Sequence, residues 1–321
     1  QALILIPTLK STGLKLRFRT DWRGVGLDKA LRLASWMFLF VLISQLGFLV
    51  TVNLATRAGV AAEAAGVAYG VGYTPYANAY LILLLPHSIV TISIVTALLP
   101  RLSSFVIDKK IDELKSALAT ALRYVGIITV PASIFFLLFG ERVAEAIFFG
   151  ITEESAIYIG RLLSAMALGL IPLSINLVFI RGLNAFENTK YQVISNLVIN
   201  IVAVTLSLIA YSNMEARSVT VGLALAFTAS YWCGIVVTYF LLRKYTGALA
   251  LGALLFFYLK VILASIISVL FVAYAAQELG LEWNIVDLIG VLAITSLLYL
   301  IVARAMKIDE VGQTIKVLLR R

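Results

Sequence analysis

The stretch from Ala79 to Phe105, AYLILLLPHSIVTISIVTALLPRLSSF, limits what this chain can become. From Tyr80 to Leu99 it holds twenty residues without an Asp, Glu, Lys or Arg. As a helix that run is ~30 Å long, enough to cross the hydrocarbon of a bilayer. It is not uniformly apolar. Pro86 and His87 are followed by Ser88, Thr91, Ser93 and Thr96. A helix facing lipid on every side has no use for these groups, so they predict contact with other helices or a wet cavity. The segment is predicted to end at Leu98-Leu99-Pro100-Arg101, with the arginine anchoring it at one membrane face.

The rest of the chain repeats this character. It has 321 residues, 61% hydrophobic and 13% charged, with mean hydropathy +1.00. A soluble domain carries about 25% charged residues, so the class is an all-α polytopic membrane bundle. Eight spans are predicted, at about 31–54, 80–99, 124–139, 157–180, 193–211, 219–242, 251–276 and 286–303. Arg57 to Tyr76 reads as a Gly/Ala-rich connection at the interface. Asp108 to Thr120 places Ile111, Leu114 and Leu118 on one face and reads as a surface helix. Gln1 to Thr8 is too short to span and has no basic leader, so it reads as the tail of an earlier helix in a longer chain.

Eight crossings alternate the connectors between two sides. One side then carries 21 of the 26 Lys and Arg residues. The other has Arg57, Arg142, Arg161 and Arg217, and Lys260 lies within a span, where snorkelling to the interface is its ordinary role. The acids divide eight to nine. Basic asymmetry with indifferent acids is the positive-inside pattern, which puts both ends of the chain in the cytoplasm. A net charge of +9 therefore reflects orientation rather than nucleic-acid binding.

The chemistry within the spans is sparse. No Gly-rich phosphate loop precedes a Lys-Ser/Thr pair, and no paired carboxylates lie in the membrane. One His and the lone Cys233 cannot build a common zinc site. Neither an enzyme nor a cofactor or metal is expected. Successive spans each hold an interior proline, Pro86, Pro131 and Pro172, as helices that move or line a cavity often do. Along such a cavity the candidates are Gln45, Pro86, His87, Thr91, Arg161 and Asn176. His87 with Thr91 is either a cavity-lining pair or a bond to a neighbouring helix. Arg161 is either a cavity cation or an interface anchor. Asn196 and Asn200, four apart on one face, are either a clamp between helices or part of an ion site.

Two motifs combine. Leu98-Leu99-Pro100-Arg101-Leu102-Ser103 closes one proline-containing span. Arg181-Gly-Leu-Asn-Ala-Phe-Glu-Asn-Thr-Lys190 closes another two spans later. Together they resemble the MurJ/MviN family of bacterial lipid II flippases. The match in the second motif is carried by Arg181, Ala185, Asn188, Thr189 and Lys190. The resemblance implies the C-terminal part of a fourteen-helix transporter, helices seven to fourteen. Residues 1–30 would be the end of a preceding helix and a connector. Residues 31–244 would form a six-helix lobe. Residues 245–306 would be two further helices forming a lipid-tail groove, and 307–321 a basic cytoplasmic tail. Arg101, Arg181 and Lys190 would mark the cytoplasmic motif.

The resemblance further implies alternating access in cell-wall synthesis, in the plasma membrane of a bacterium. The substrate would be a polyprenyl-pyrophosphate-linked peptidoglycan precursor. The expected partners are membrane lipids, a preceding N-terminal lobe and cell-wall regulatory proteins, with a kinase-like cytoplasmic domain following in many actinobacterial members. An arginine that many members carry before the proline falls at Leu81 here. Positions matching a sodium site in some members are Thr51, Asn196 and Asn200, which hold no carboxylate. The alternatives are another polysaccharide-lipid or drug exporter of the same superfamily, or a scaffold that recruits cell-wall regulators.

Overall fold

The computed structural model describes residues 27–67, 69–281 and 283–312. The expected helix stub at Gln1–Thr8, most of the basic connector after it, and Lys316, Arg320 and Arg321 lie outside the described residues. Helices account for almost all of the remainder: α1 (Leu27–Ala64), α2 (Tyr73–Pro86), a π-helical turn (His87–Thr91), α3 (Ile92–Ile107), α4 (Ile111–Ile147), α5 (Glu153–Ala167), α6 (Leu170–Ala185), α7 (Thr189–Asn213), α8 (Ala216–Thr246), α9 (Leu251–Glu278) and α10 (Ile285–Ala305). By length and apolarity, α2 with the π turn and α3 is one span, and α5 with α6 is one span bent by 47°. The other six are each long and apolar enough to cross singly, so the count is seven, or the predicted eight when the bent pair is taken as one span.

α4 is the central post, with α5, α6, α9, α3 and α10 packed around it. α1 packs outside on α7 and α8. Lipid tails are as apolar as leucine, so burying a side chain between helices gains little by itself; close packing decides. Glycine provides it where α4 crosses α5. A Cβ at Gly160 would overlap the backbone of Glu141 and come 2.6 Å from the carbonyl oxygen of Gly140.

Several boundaries differ from expectation. α1 continues to Ala64, through part of the Gly/Ala-rich segment that reads as a connection. Its Ala55, Ala58 and Ala62 are buried. The chain after the helix lies back across this face, and a Cβ at Gly59 would stand 2.7 Å from the Val71 carbonyl oxygen. The small residues seat a loop rather than form one.

α3 runs through Pro100 to Ile107 instead of stopping at the proline. A proline removes one backbone bond; here the helix beyond it is held by the fully buried Leu102. The predicted surface helix is no separate element: Ile111 to Thr120 forms the first turns of α4. Leu114 and Leu118 are fully buried in a cluster with Leu183 and Leu242, so this apolar face is satisfied by protein, not by a lipid surface.

The fourth span breaks between Ala167 and Leu170, ahead of Pro172. Pro172 therefore sits in the first turn of α6, where its missing N–H costs no helical bond. Pro131 lies inside an unbroken α4. Pro86 is followed directly by the π turn, in which the Ile92 N–H reaches back to the His87 carbonyl. The three prolines thus have three different consequences.

Candidate functional site

The break in the fourth span leaves the last carbonyls of α5 without helical donors. Side chains supply them instead. Ser133 Oγ donates to the Ala167 carbonyl at 2.7 Å, Thr228 Oγ1 to Ala165 at 2.9 Å, and the Trp232 indole N–H to Leu168 at 3.2 Å. One helix before the break and one after it in sequence supply these donors. Nothing in the local sequence of α5 or α6 announces them.

Below the break, α6 carries Ser174 and Asn176 into the interior. His87 Nδ1 lies 2.9 Å from Ser174 Oγ, and both residues are buried. Thr91, one turn on from His87, is fully buried with no hydrogen-bond partner for Oγ1 among the described residues. Asn176 Oδ1 accepts from Thr238 Oγ1 at 2.6 Å, and Thr238 Oγ1 stands 2.5 Å from Ser195 Oγ. If Thr238 gives its proton to Asn176, Ser195 donates to Thr238, and the chain of three is satisfied across α6, α8 and α7.

A second polar seam joins α1 to α7. Asn196 Nδ2 donates to the Phe40 carbonyl at 3.1 Å and to Ser44 Oγ at 2.9 Å. Asn200 Nδ2 donates to Asn196 Oδ1 at 3.0 Å. The Asn200 amide sits directly over Gly47, where a Cβ would overlap Oδ1. Thr51 bonds within its own helix, to the Gly47 carbonyl at 3.1 Å. The two asparagines thus bridge α1 and α7 through hydrogen bonds, and Thr51 does not join them by one. No group of three His, Cys, Asp or Glu that could hold a metal occurs among the described residues.

An apolar slot of about 1070 Å³ lies between α2–α3, α4 and α10. Pro86, Ile89, Ile128, Pro131, Leu292 and Tyr299 are among its walls. Along α4 it extends from Tyr124 to Ile147, ~35 Å at the helical rise and so about the depth of the hydrocarbon. Pro86 and Pro131 stand on different walls of the slot. Of the two C-terminal helices, α10 lines the slot, while α9 packs behind α4 with Phe257, Val261 and Ala264 buried.

At the Arg101 end, the chain after α10 turns under this slot. Val311 is fully buried and forms part of the wall. Glu310 pairs with Arg123 of α4 at 2.7 Å, and the Arg123 guanidinium lies 5.6 Å from the centre of the Phe257 ring. Lys260, inside a span by sequence, donates to the Met306 carbonyl at 3.3 Å and so caps the end of α10.

Of the six residues expected along the cavity, Pro86 lines the slot. His87, Thr91 and Asn176 are turned into the protein interior instead. Gln45 is exposed on α1 and borders neither this slot nor the smaller hollow described below. Arg161 is exposed and pairs with Glu141 at 3.1 Å, away from the slot. In the second motif, Asn188 Nδ2 donates to Tyr245 Oη at 2.6 Å, which ties the turn to the end of α8. Arg181 is half-buried there with no partner for Nε among the described residues, and Lys190 is exposed. The donors at the break, the Arg123–Glu310 pair and the α10 wall escape sequence reasoning. They depend on residues that look like any others until distant helices meet.

A bundle whose helices are long and apolar enough for as many as eight crossings, one of them bent at a break, with an apolar slot among them, is a multi-pass membrane protein. The family model described as lipid II flippase MurJ matches residues 1–294, and the chain belongs to that family. It is 24% identical over 241 residues to a protein of Rhizobium meliloti (strain 1021) named probable lipid II flippase MurJ, covering 74% of this chain and 42% of that one. The structure of a lipid II flippase MurJ in an inward closed conformation superposes with a TM-score of 0.69 at 19% identity, over 97% of this chain and 60% of that chain. The fold is therefore shared, and the chain spans less than half the length of the curated relative.

Proposed function

We propose that this chain is the C-terminal part of a lipid II flippase, working with a preceding lobe by alternating access. It lies in the bacterial plasma membrane with the Arg101 face and both chain ends in the cytoplasm. The slot holds the polyprenyl tail while the pyrophosphate-linked head crosses through the protein. The logic is one of cost: a pyrophosphate in hydrocarbon and a polyprenyl chain in water are both prohibitive. A carrier must therefore give each half of the substrate its own path. The lobe is residues 31–244, and the groove for the tail is α10 with α2, α3 and α4, backed by α9.

The single observation that carries this reading is the membrane-deep apolar slot in a chain of this family. Family membership supports the substrate class, and the depth and apolar walls of the slot suit its tail. The test is to fill the slot. Ile128→Trp and Leu292→Trp, on facing walls, are made in the full-length protein and reconstituted in vesicles. Transfer of lipid II between leaflets is expected to fall at least tenfold while the protein stays folded. Unaltered transfer in both variants would overturn the assignment of the tail to this slot.

A further inference from the structure

At the Arg101 face Val311 closes the apolar slot on one side only. Ile94 and Tyr124 line it, and the same two residues line a second hollow of about 640 Å³. The two spaces adjoin there, and their character changes. The second hollow lies between the end of α3 and the first turns of α4, and its walls include Arg101, Glu113, Ser116 and Thr120.

The charges in this annex are unspent. Arg101 has no ion pair among the described residues; its guanidinium rests 5.4 Å from the centre of the Phe105 ring, on its own helix. Glu113 faces the same space without bridging to it, although the neighbouring acid Asp112 pairs with Lys115 at 2.6 Å. An arginine and a carboxylate that border one hollow and do not close across it leave room for a polar guest between them. The slot matches the hydrocarbon in depth, so the annex falls at the level of lipid phosphates.

We propose that the annex is a loading site for the head of a sugar-bearing polyprenyl phosphate whose tail enters the adjoining slot. Arg101 takes the phosphate oxygens through its fork of N–H donors. Ser116, Thr120 and Glu113 face the sugar hydroxyls, which donate to the carboxylate. Glu113 has a selective role as well. Its carboxylate accepts hydrogen bonds that a glycosylated head offers and a bare phosphate does not, so only the loaded carrier offsets the repulsion between Glu113 and the phosphate. This inference rests on the assignment of the slot to a lipid tail.

The test uses the purified full-length protein and three probes: geranylgeranyl phosphate, geranylgeraniol and inorganic phosphate. Arg101→Gln is expected to weaken geranylgeranyl phosphate at least tenfold and to leave geranylgeraniol within twofold. Arg101→Lys is expected to recover most of the loss, which separates lost charge from lost folding. Glu113→Gln is expected to tighten geranylgeranyl phosphate several-fold. Ile128→Trp is expected to weaken both tailed probes. If Ile128→Trp weakens both but Arg101→Gln changes neither, the annex is overturned and the slot stands. If Ile128→Trp changes neither, the slot assignment fails and the loading site fails with it. Inorganic phosphate that binds through Arg101 as tightly as the tailed phosphate would show a free-anion site and overturn the lipid assignment.

Discussion

Arg123 and Glu310 lie 187 positions apart in the chain and meet at 2.7 Å beneath the apolar slot. The pair is partly shielded, with the carboxylate the more buried side, and it holds the segment after α10 against α4. Val311 follows immediately and forms part of the slot wall, so an ion pair near the surface adjoins one end of an apolar cavity.

Glu310→Gln is therefore expected to loosen that floor more than it destabilises the fold. A partly exposed pair contributes on the order of 1 kcal/mol, so the unfolding midpoint should fall only slightly. A cysteine at position 311 should then react faster with a membrane-impermeant maleimide than it does with Glu310 intact. Equal labelling rates would show that the pair does not hold the segment closed.

Ser174→Ala removes the partner of His87 Nδ1 in a buried setting, and is expected to cost ~1–3 kcal/mol. Replacing both residues, as His87→Leu with Ser174→Ala, should recover part of that loss, because no polar group is then left unpaired. Thermal unfolding of the two singles and the double measures the coupling. Strict additivity would mean that the contact contributes nothing.

At the break between α5 and α6, Ser133→Ala and Thr228→Val each strand a carbonyl in the membrane. Each change is expected to cost about 0.6–2 kcal/mol, the scale of interhelical hydrogen bonds in bundles. The double variant should show faster amide hydrogen exchange around residues 166–172 than in α4. Unchanged exchange there would place the stability of the break elsewhere.

Asn196→Ala breaks two donor bonds between α7 and α1, and is expected to lower the unfolding midpoint by the same amount in sodium as in potassium. Its amide nitrogen already serves the Phe40 carbonyl and Ser44, so the prediction separates a clamp from an ion site. A midpoint that rises with sodium in the unaltered protein, and loses that rise in Asn196→Ala, would favour the ion site.

Hydropathy, charge asymmetry and two motifs suffice to say that this chain crosses a membrane, about how many times, and which family it resembles. Hydropathy needs no partner: a run such as Tyr80–Leu99 must find hydrocarbon whatever surrounds it. The Arg181–Lys190 motif likewise survives as a string of residues. Tertiary structure alone decided which polar groups face one another and which apolar faces enclose a space. His87 and Thr91 read equally well as cavity or packing until α6 brings Ser174 against the π turn. Leu114 and Leu118 read as a lipid-facing stripe until Leu183 and Leu242 cover them. The slot is the extreme case. Its lining has the same composition as a lipid-facing surface, so no periodicity distinguishes the two, and only the meeting of α10 with α2–α4 makes it a cavity.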